Sequence, residues 1–135
     1  MAVIVKRSVI LKNIVTPAFK EQLTKELEHA IYQLQTWLEQ DEFQSRRLIA
    51  EAQKRDPSRV NQLREEIRQE RGKQERVKTE LGQKLEQVKE LETGSIFVSG
   101  TYDAPVKIDV GDNIRARLSQ AEIIVKDGIV VQIIE

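Results

Sequence analysis

Cysteine is absent from this 135-residue chain, which excludes disulfides, thiolate nucleophiles and cysteine-ligated zinc together. Aromatic residues are only 4% of the total, too few for a thick globular core but enough for narrow helical seams. No apolar run approaches the roughly 18 to 20 residues that span a bilayer. The N-terminal Val3-Ile4-Val5 is cut short by Lys6-Arg7, so no signal-peptide apolar region forms, and the chain reads as cytoplasmic, without membrane insertion. A net charge is lacking too: Lys plus Arg and Asp plus Glu are both 22, and the global field favours no partner.

Histidine occurs once. At helical spacing around His29 stand Lys25, Glu26, Tyr32 and Gln33, which make neither a metal-ligating set nor a catalytic partnership. There is no Gly-x-Ser-x-Gly turn, and the six glycines at 72, 82, 94, 100, 111 and 128 form no phosphate cradle. Asp103, Asp109, Asp112 and Asp127 lack the spacing of a calcium loop. The sequence therefore names no catalytic residue, no metal ligand and no cofactor, and the expectation is a protein that is not an enzyme.

What is there is charge, 33% of the residues, arranged on helical periods. The length suits one ordinary domain. Residues 1–16 read as the strand or strands of a β-head, with Val3-Ile4-Val5, Val9-Ile10-Leu11 and Ile14-Val15 interrupted by Lys6-Arg7-Ser8. Thr16-Pro17 then pairs a capping hydroxyl with a proline suited to the first helical position. From Phe19 the apolar spacing is helical through Leu23, Leu27, Ile31, Leu34 and Leu38 to Leu48 and Ala52. Asp56-Pro57 repeats the cap-then-proline signal. A second helix follows through Val60, Leu63, Ile67, Val77, Leu81, Val88 and Leu91, to end at Thr93-Gly94.

Heptad positions slip by one residue at Pro57, which a fold-back absorbs and a continuous helix does not. Pairing residues whose numbers sum to 115 sets Ala52 against Leu63, Leu48 against Ile67, Leu38 against Val77, Leu34 against Leu81 and Leu27 against Val88. It also gathers the polar seam residues into two adjacent layers, Asp41 with Gln74 and Ser45 with Glu70. The expected fold class is α+β: a long antiparallel coiled-coil helical hairpin, residues 17–93 with its tip near Asp56-Pro57, inserted into a small β-head. At about 1.5 Å per residue the hairpin would extend roughly 55 to 60 Å.

Residues 94–135 supply the C-terminal strands of the head. Ile96 and Val98, then Val106, Ile108 and Val110, alternate as half-buried strands do, and Gly111-Asp112 marks a turn. Ile114, Ala116 and Leu118 alternate with Arg115 and Arg117, a pattern open to strand or short helix. Glu122 to Lys126, Asp127-Gly128 and Ile129 to Ile134 form a β-hairpin around a favoured turn dipeptide. A head of about 55 residues is near the lower limit of independent stability and leaves sheet edges open, so homo-oligomerisation is expected.

On Ile124-Val125-Lys126-Asp127-Gly128-Ile129-Val130-Val131, supported by Pro105 to Asp112, by Val9-Ile10-Leu11 and by the glutamine- and glutamate-rich middle, the chain resembles the YlqD-like family of small bacterial proteins. The resemblance brings no catalytic residues. Because some members are encoded near ribosome-maturation genes, it implies RNA- or ribosome-associated work as one reading.

Charge is uneven along the chain. Residues 46–78 hold eleven basic and six acidic side chains, a local net of +5, whereas residues 17–45 and 79–93 together carry −6. Arg46, Arg47, Lys54, Arg55, Arg59, Arg64 and Arg68 are the candidate contacts for an anionic partner at a positive tip. The plainer reading is a solvated face laced with ion pairs between residues three or four apart. The leading functional expectation is a non-enzymatic interaction or scaffolding protein with a protein partner. An RNA-associated factor, using the basic tip or stacking bases on Phe97 and Tyr102, is the alternative, and an enzyme is the third and least supported.

Overall fold

The computed structural model describes all residues, 1–135, and the chain divides into two compact units, one of residues 1–21 and 91–135 and the other of residues 22–90. The fold is α+β, with a four-stranded mixed sheet and long helices.

In the first unit, strand β1 (Val3–Ile14) lies inside a sheet of order β2-β1-β3-β4, with β2 at Ile96–Ile108, β3 at Ala121–Lys126 and β4 at Ile129–Ile134. β1 pairs antiparallel with β2 and parallel with β3, so the N-terminal strand has partners from the C-terminal third on both sides. It runs unbroken through Lys6-Arg7-Ser8, where the sequence suggests an interruption. The charges there are accommodated individually: Lys6 is exposed, and Arg7, its side chain 15% exposed, pairs with Glu135 at 3.6 Å. β2 is likewise one strand rather than two. Pro105 stands within it opposite Lys6, which is tolerated because β2 is an edge strand and the missing N–H has no ladder partner to lose. Register shifts between Leu11 and Lys12, leaving Ser99 as a bulge whose hydroxyl accepts from the Asn13 amide. Ile114–Leu118 forms a short helix, α3, capped by the Asn113 side chain, which accepts from Ala116 N–H.

Helix α1 (Pro17–Arg55) starts where the sequence places it. The Thr16 hydroxyl accepts from Phe19 N–H at 3.1 Å, and Thr16 O accepts from Lys20 N–H. The same hydroxyl donates to the Asp127 carboxylate at 2.6 Å, tying the cap of α1 to the β3–β4 turn. Phe19 stacks in a tilted contact on Phe97, centroids 5.6 Å apart.

In the second unit, α1 ends at Arg55, a single 3-10 turn spans Pro57–Arg59, and α2 covers Val60–Lys89. Asp56, at φ −150° and ψ 80°, lies outside the α region, as a residue before proline should, but its carboxylate caps no helix and accepts from Ser58 Oγ instead. α2 also stops short of the expected Thr93-Gly94. The chain turns early because Gly94 N–H bonds Val15 O and Val15 N–H bonds Ser95 O, while the Lys20 ammonium takes Leu91 O. Gly94, at φ 92°, serves that turn rather than the helix end.

The two long helices touch. Arg71 of α2 donates to Leu38 O of α1 at 3.3 Å and lies 4.0 Å from the carboxylates of both Asp41 and Glu42. Leu34, Trp37, Val77 and Leu81 line one open groove, and Ala52 and Leu63 another.

Two details of the expected seam need correction. Leu48 is 52% exposed and Val77 43%, while Ile49 and Lys78 are more covered. The covered stripe of α2 runs Val60, Leu63, Ile67, Arg71, Gln74, Lys78, Leu81, Leu85, Val88. An α-helix drifts by about 20° per seven residues against a strict heptad, so over this length the inward position advances by one residue. The Asp41–Gln74 and Ser45–Glu70 layers give way accordingly. Asp41 meets Arg71, and Gln74 donates to Glu70 along its own helix.

Candidate interaction surface

All seven cations singled out from the sequence are exposed, four on the last ten residues of α1 and three on the 3-10 turn and α2. Two of them are neutralised locally. Arg46 pairs with Glu42 at 2.8 Å, one helical turn away, and Arg68 with Glu65 at 2.8 Å. The Arg68 hydrogen bond holds the Glu65 carboxyl below its ordinary value, and the same bond raises Arg68. Exposed pairs of this kind add little stability, but they reduce the field available to a partner.

The other five, Arg47, Lys54, Arg55, Arg59 and Arg64, make no ion pair within 4.0 Å. They lie within ten residues of Pro57 along the chain. Their setting is helix surface and one turn, with an open groove lined by Ala52, Arg59, Gln62, Leu63 and Glu66. A small substrate on such a surface would be accessible to water on most sides, whereas an extended chain would meet several charges at once.

Arg71 is the residue that sequence reasoning passed over. Counted only as one of eleven bases, it instead bridges α1 and α2, with a third carboxylate, Glu75, at 3.4 Å. The available signal was its position beside the polar heptad residue Glu70, which the constant-sum pairing sets opposite Ser45, one layer from Asp41.

Phe97, proposed from sequence as a base-stacking ring, is occupied by Phe19 and is only partly exposed. Tyr102 is exposed on its strand, its ring lying over Gly100. His29 is exposed, no group of three or more His, Asp or Glu side chains is arranged to hold a metal ion, and no helix is long and apolar enough to cross a membrane.

The chain is similar in structure to a crystallised protein of unknown function from Synechococcus sp. WH 8102. The TM-score is 0.88 at 26% identity, covering 100% of this chain and 96% of the other. Comparison with curated proteins found no match. The family model described as "YlqD protein" matches residues 3–134. With the match running through both units and every element of the fold, the chain belongs to the YlqD family.

Proposed function

We propose that this is a non-enzymatic interaction or scaffolding protein of the cytoplasm that self-associates through its sheet and offers a cationic helical surface to an anionic partner. In this reading the helical unit is an antiparallel coiled-coil hairpin, inserted in sequence between the strands of a β-head. The observation that carries it is the set of five unpaired, exposed cations grouped around Pro57, on a unit that has open grooves. The contacts of Arg71 with Leu38, Asp41 and Glu42 support the fold-back.

Nitroxide labels at Leu34 and Leu81, diluted with unlabelled protein to suppress signals between copies, test the hairpin. A short intramolecular distance is expected. A continuous helix would separate these positions by about 70 Å, and a distance in that range ends the hairpin reading.

The cationic contact is tested by changing Arg55, Arg59 and Arg64 together to Gln. Binding of polyglutamate and of single-stranded RNA at low salt should fall at least tenfold for whichever polyanion binds. With RNA, the salt dependence should also become shallower, by about 0.7 in log–log slope for each phosphate no longer neutralised. Lys84→Gln, on the same helical unit, should change little. Equal reductions from both variants, or no binding of either polyanion, would dispose of the contact. Preference for RNA over polyglutamate would select the RNA-associated alternative, which the same cations favour.

A further inference from the structure

The outward side of α1 carries a stripe of its own. At about 100° per residue, Tyr32, Thr36, Gln40, Phe43, Arg47 and Lys54 fall within about 40° of one line along the helix, opposite the buried Leu38 and Ser45. All seven carboxylates of α1 stand about 60° or more from that line, with Glu39 and Glu51 at its margins. The stripe is therefore free of acid along its centre. Arg47 and Lys54 are two of the five cations without an ion pair.

Tyr32 is 70% exposed and Phe43 66%. A chain with one tryptophan, two tyrosines and three phenylalanines has few rings to give to solvent, yet these two lie away from the helix seam. Phe19 with Phe97 is the one aromatic pair, so neither ring is stacked on another.

We propose that this stripe is a binding surface for single-stranded nucleic acid, in which Tyr32 and Phe43 stack on unpaired bases while Arg47 and Lys54 hold backbone phosphates. The sharing of one face by rings and cations selects this occupant. An acidic polypeptide offers charge to the cations but no flat face to the rings, and a duplex keeps its bases stacked on one another. A lipid surface needs a continuous apolar face, and here Thr36 and Gln40 separate the rings. The rings are about 16 Å apart in helical rise, a gap that a few extended nucleotides bridge, and Arg47 follows Phe43 by one turn, about 6 Å.

This inference deepens the cationic contact proposed above and rests on it, and the strands that test it separate the two. Fluorescence anisotropy of the full-length protein at low salt compares labelled oligo(U), oligo(dT) and an abasic deoxyribose phosphate strand of equal length. The wild type should bind the abasic strand about fivefold or more weakly than oligo(dT), although the two carry the same charge. No variant is needed for that comparison. A preference for oligo(U) or for oligo(dT) identifies RNA or DNA as the natural strand.

Tyr32→Leu and Phe43→Leu should each lower affinity for oligo(dT) by about fivefold or more and leave its salt dependence unchanged, whereas Tyr32→Phe should retain affinity. Both rings are exposed, so the leucine variants should keep the circular dichroism of the wild type. Arg47→Gln with Lys54→Gln should weaken oligo(dT) and the abasic strand alike and make the salt dependence shallower. Equal affinity for the abasic and base-bearing strands, or leucine variants that bind as the wild type does, overturns the inference and leaves the cationic contact standing. Absence of binding to every polyanion removes both. Sedimentation with phosphatidylserine vesicles in place of strand binding, abolished by the leucine variants, assigns the stripe to a lipid surface and overturns the inference as well.

Discussion

Gly128→Val is expected to destabilise the sheet unit by about 2 kcal/mol or more, since a β-branched residue at positive φ is a severe outlier and strain of this class costs about 1 to 3 kcal/mol. Gly128 sits at φ 82° and Asp127 at φ 49°, the two positive angles of the hairpin turn between β3 and β4. Nothing lies within 4 Å of where a side chain at Gly128 would begin, so the penalty belongs to the backbone and not to crowding. Gly72 is the control. It stands in the interior of α2 with open space around it, and alanine there should add about 0.8 to 1.0 kcal/mol of stability. Urea melts of the two variants should move in opposite directions. A valine variant melting with the wild type would contradict the turn.

Thr16→Val should have the next largest effect, about 1 to 2 kcal/mol, the upper range for removal of a helix cap. Valine keeps the shape of threonine in a site only 7% exposed, so packing changes little and the hydroxyl alone is removed. With it go the acceptor for Phe19 N–H and the donor to Asp127. Because one oxygen serves both the start of α1 and the β3–β4 turn, Thr16→Val and Asp127→Ala should be non-additive by 0.5 kcal/mol or more, about the lower bound for residues in contact. Strict additivity in a double-mutant cycle would mean the two elements are not coupled through this oxygen.

The parts of the fold legible in the sequence are those decided by neighbours in the chain. Asp127-Gly128 between aliphatic runs specifies its own turn, and Thr16-Pro17 specifies its own cap. What depends on distant partners was not legible. Nothing near Ala121 announces that β3 will run parallel to β1, and nothing near Pro105 says that its strand lies at an edge. The end of α2 is set by Val15, far away in sequence, and so Gly94 misled.

The candidate surface divides along the same line. Composition located the cations near Pro57, but which of them would be quenched depended on side-chain geometry, as with Arg46 on Glu42 and Arg68 on Glu65. A heptad template, rigid at seven residues, put Leu48 and Val77 where Ile49 and Lys78 belong.

The placement of β1 at the inside of the sheet governs the order in which this protein assembles. Ile14 pairs with Ile96 and Val9 with Ala121, so the first strand made must wait for partners 82 and 112 residues later. Long-range pairing of this kind is slow, because the loop must close before any contact rewards it. Closing a flexible segment the size of residues 22–90 costs about 4 kcal/mol on the scale of (3/2)RT ln n. Those residues form a compact unit of their own and emerge from synthesis before β2 does. In the folded chain the two ends of that segment are neighbours, Lys20 donating to Leu91 O, and helices that paired early, as in the proposed hairpin, would shorten that loop before β1 meets β2. On the proposed hairpin, the charged middle of the chain would work as a folding jig for its two ends, and lesions in it should appear first as slower sheet formation and longer exposure of aggregation-prone aliphatic strands.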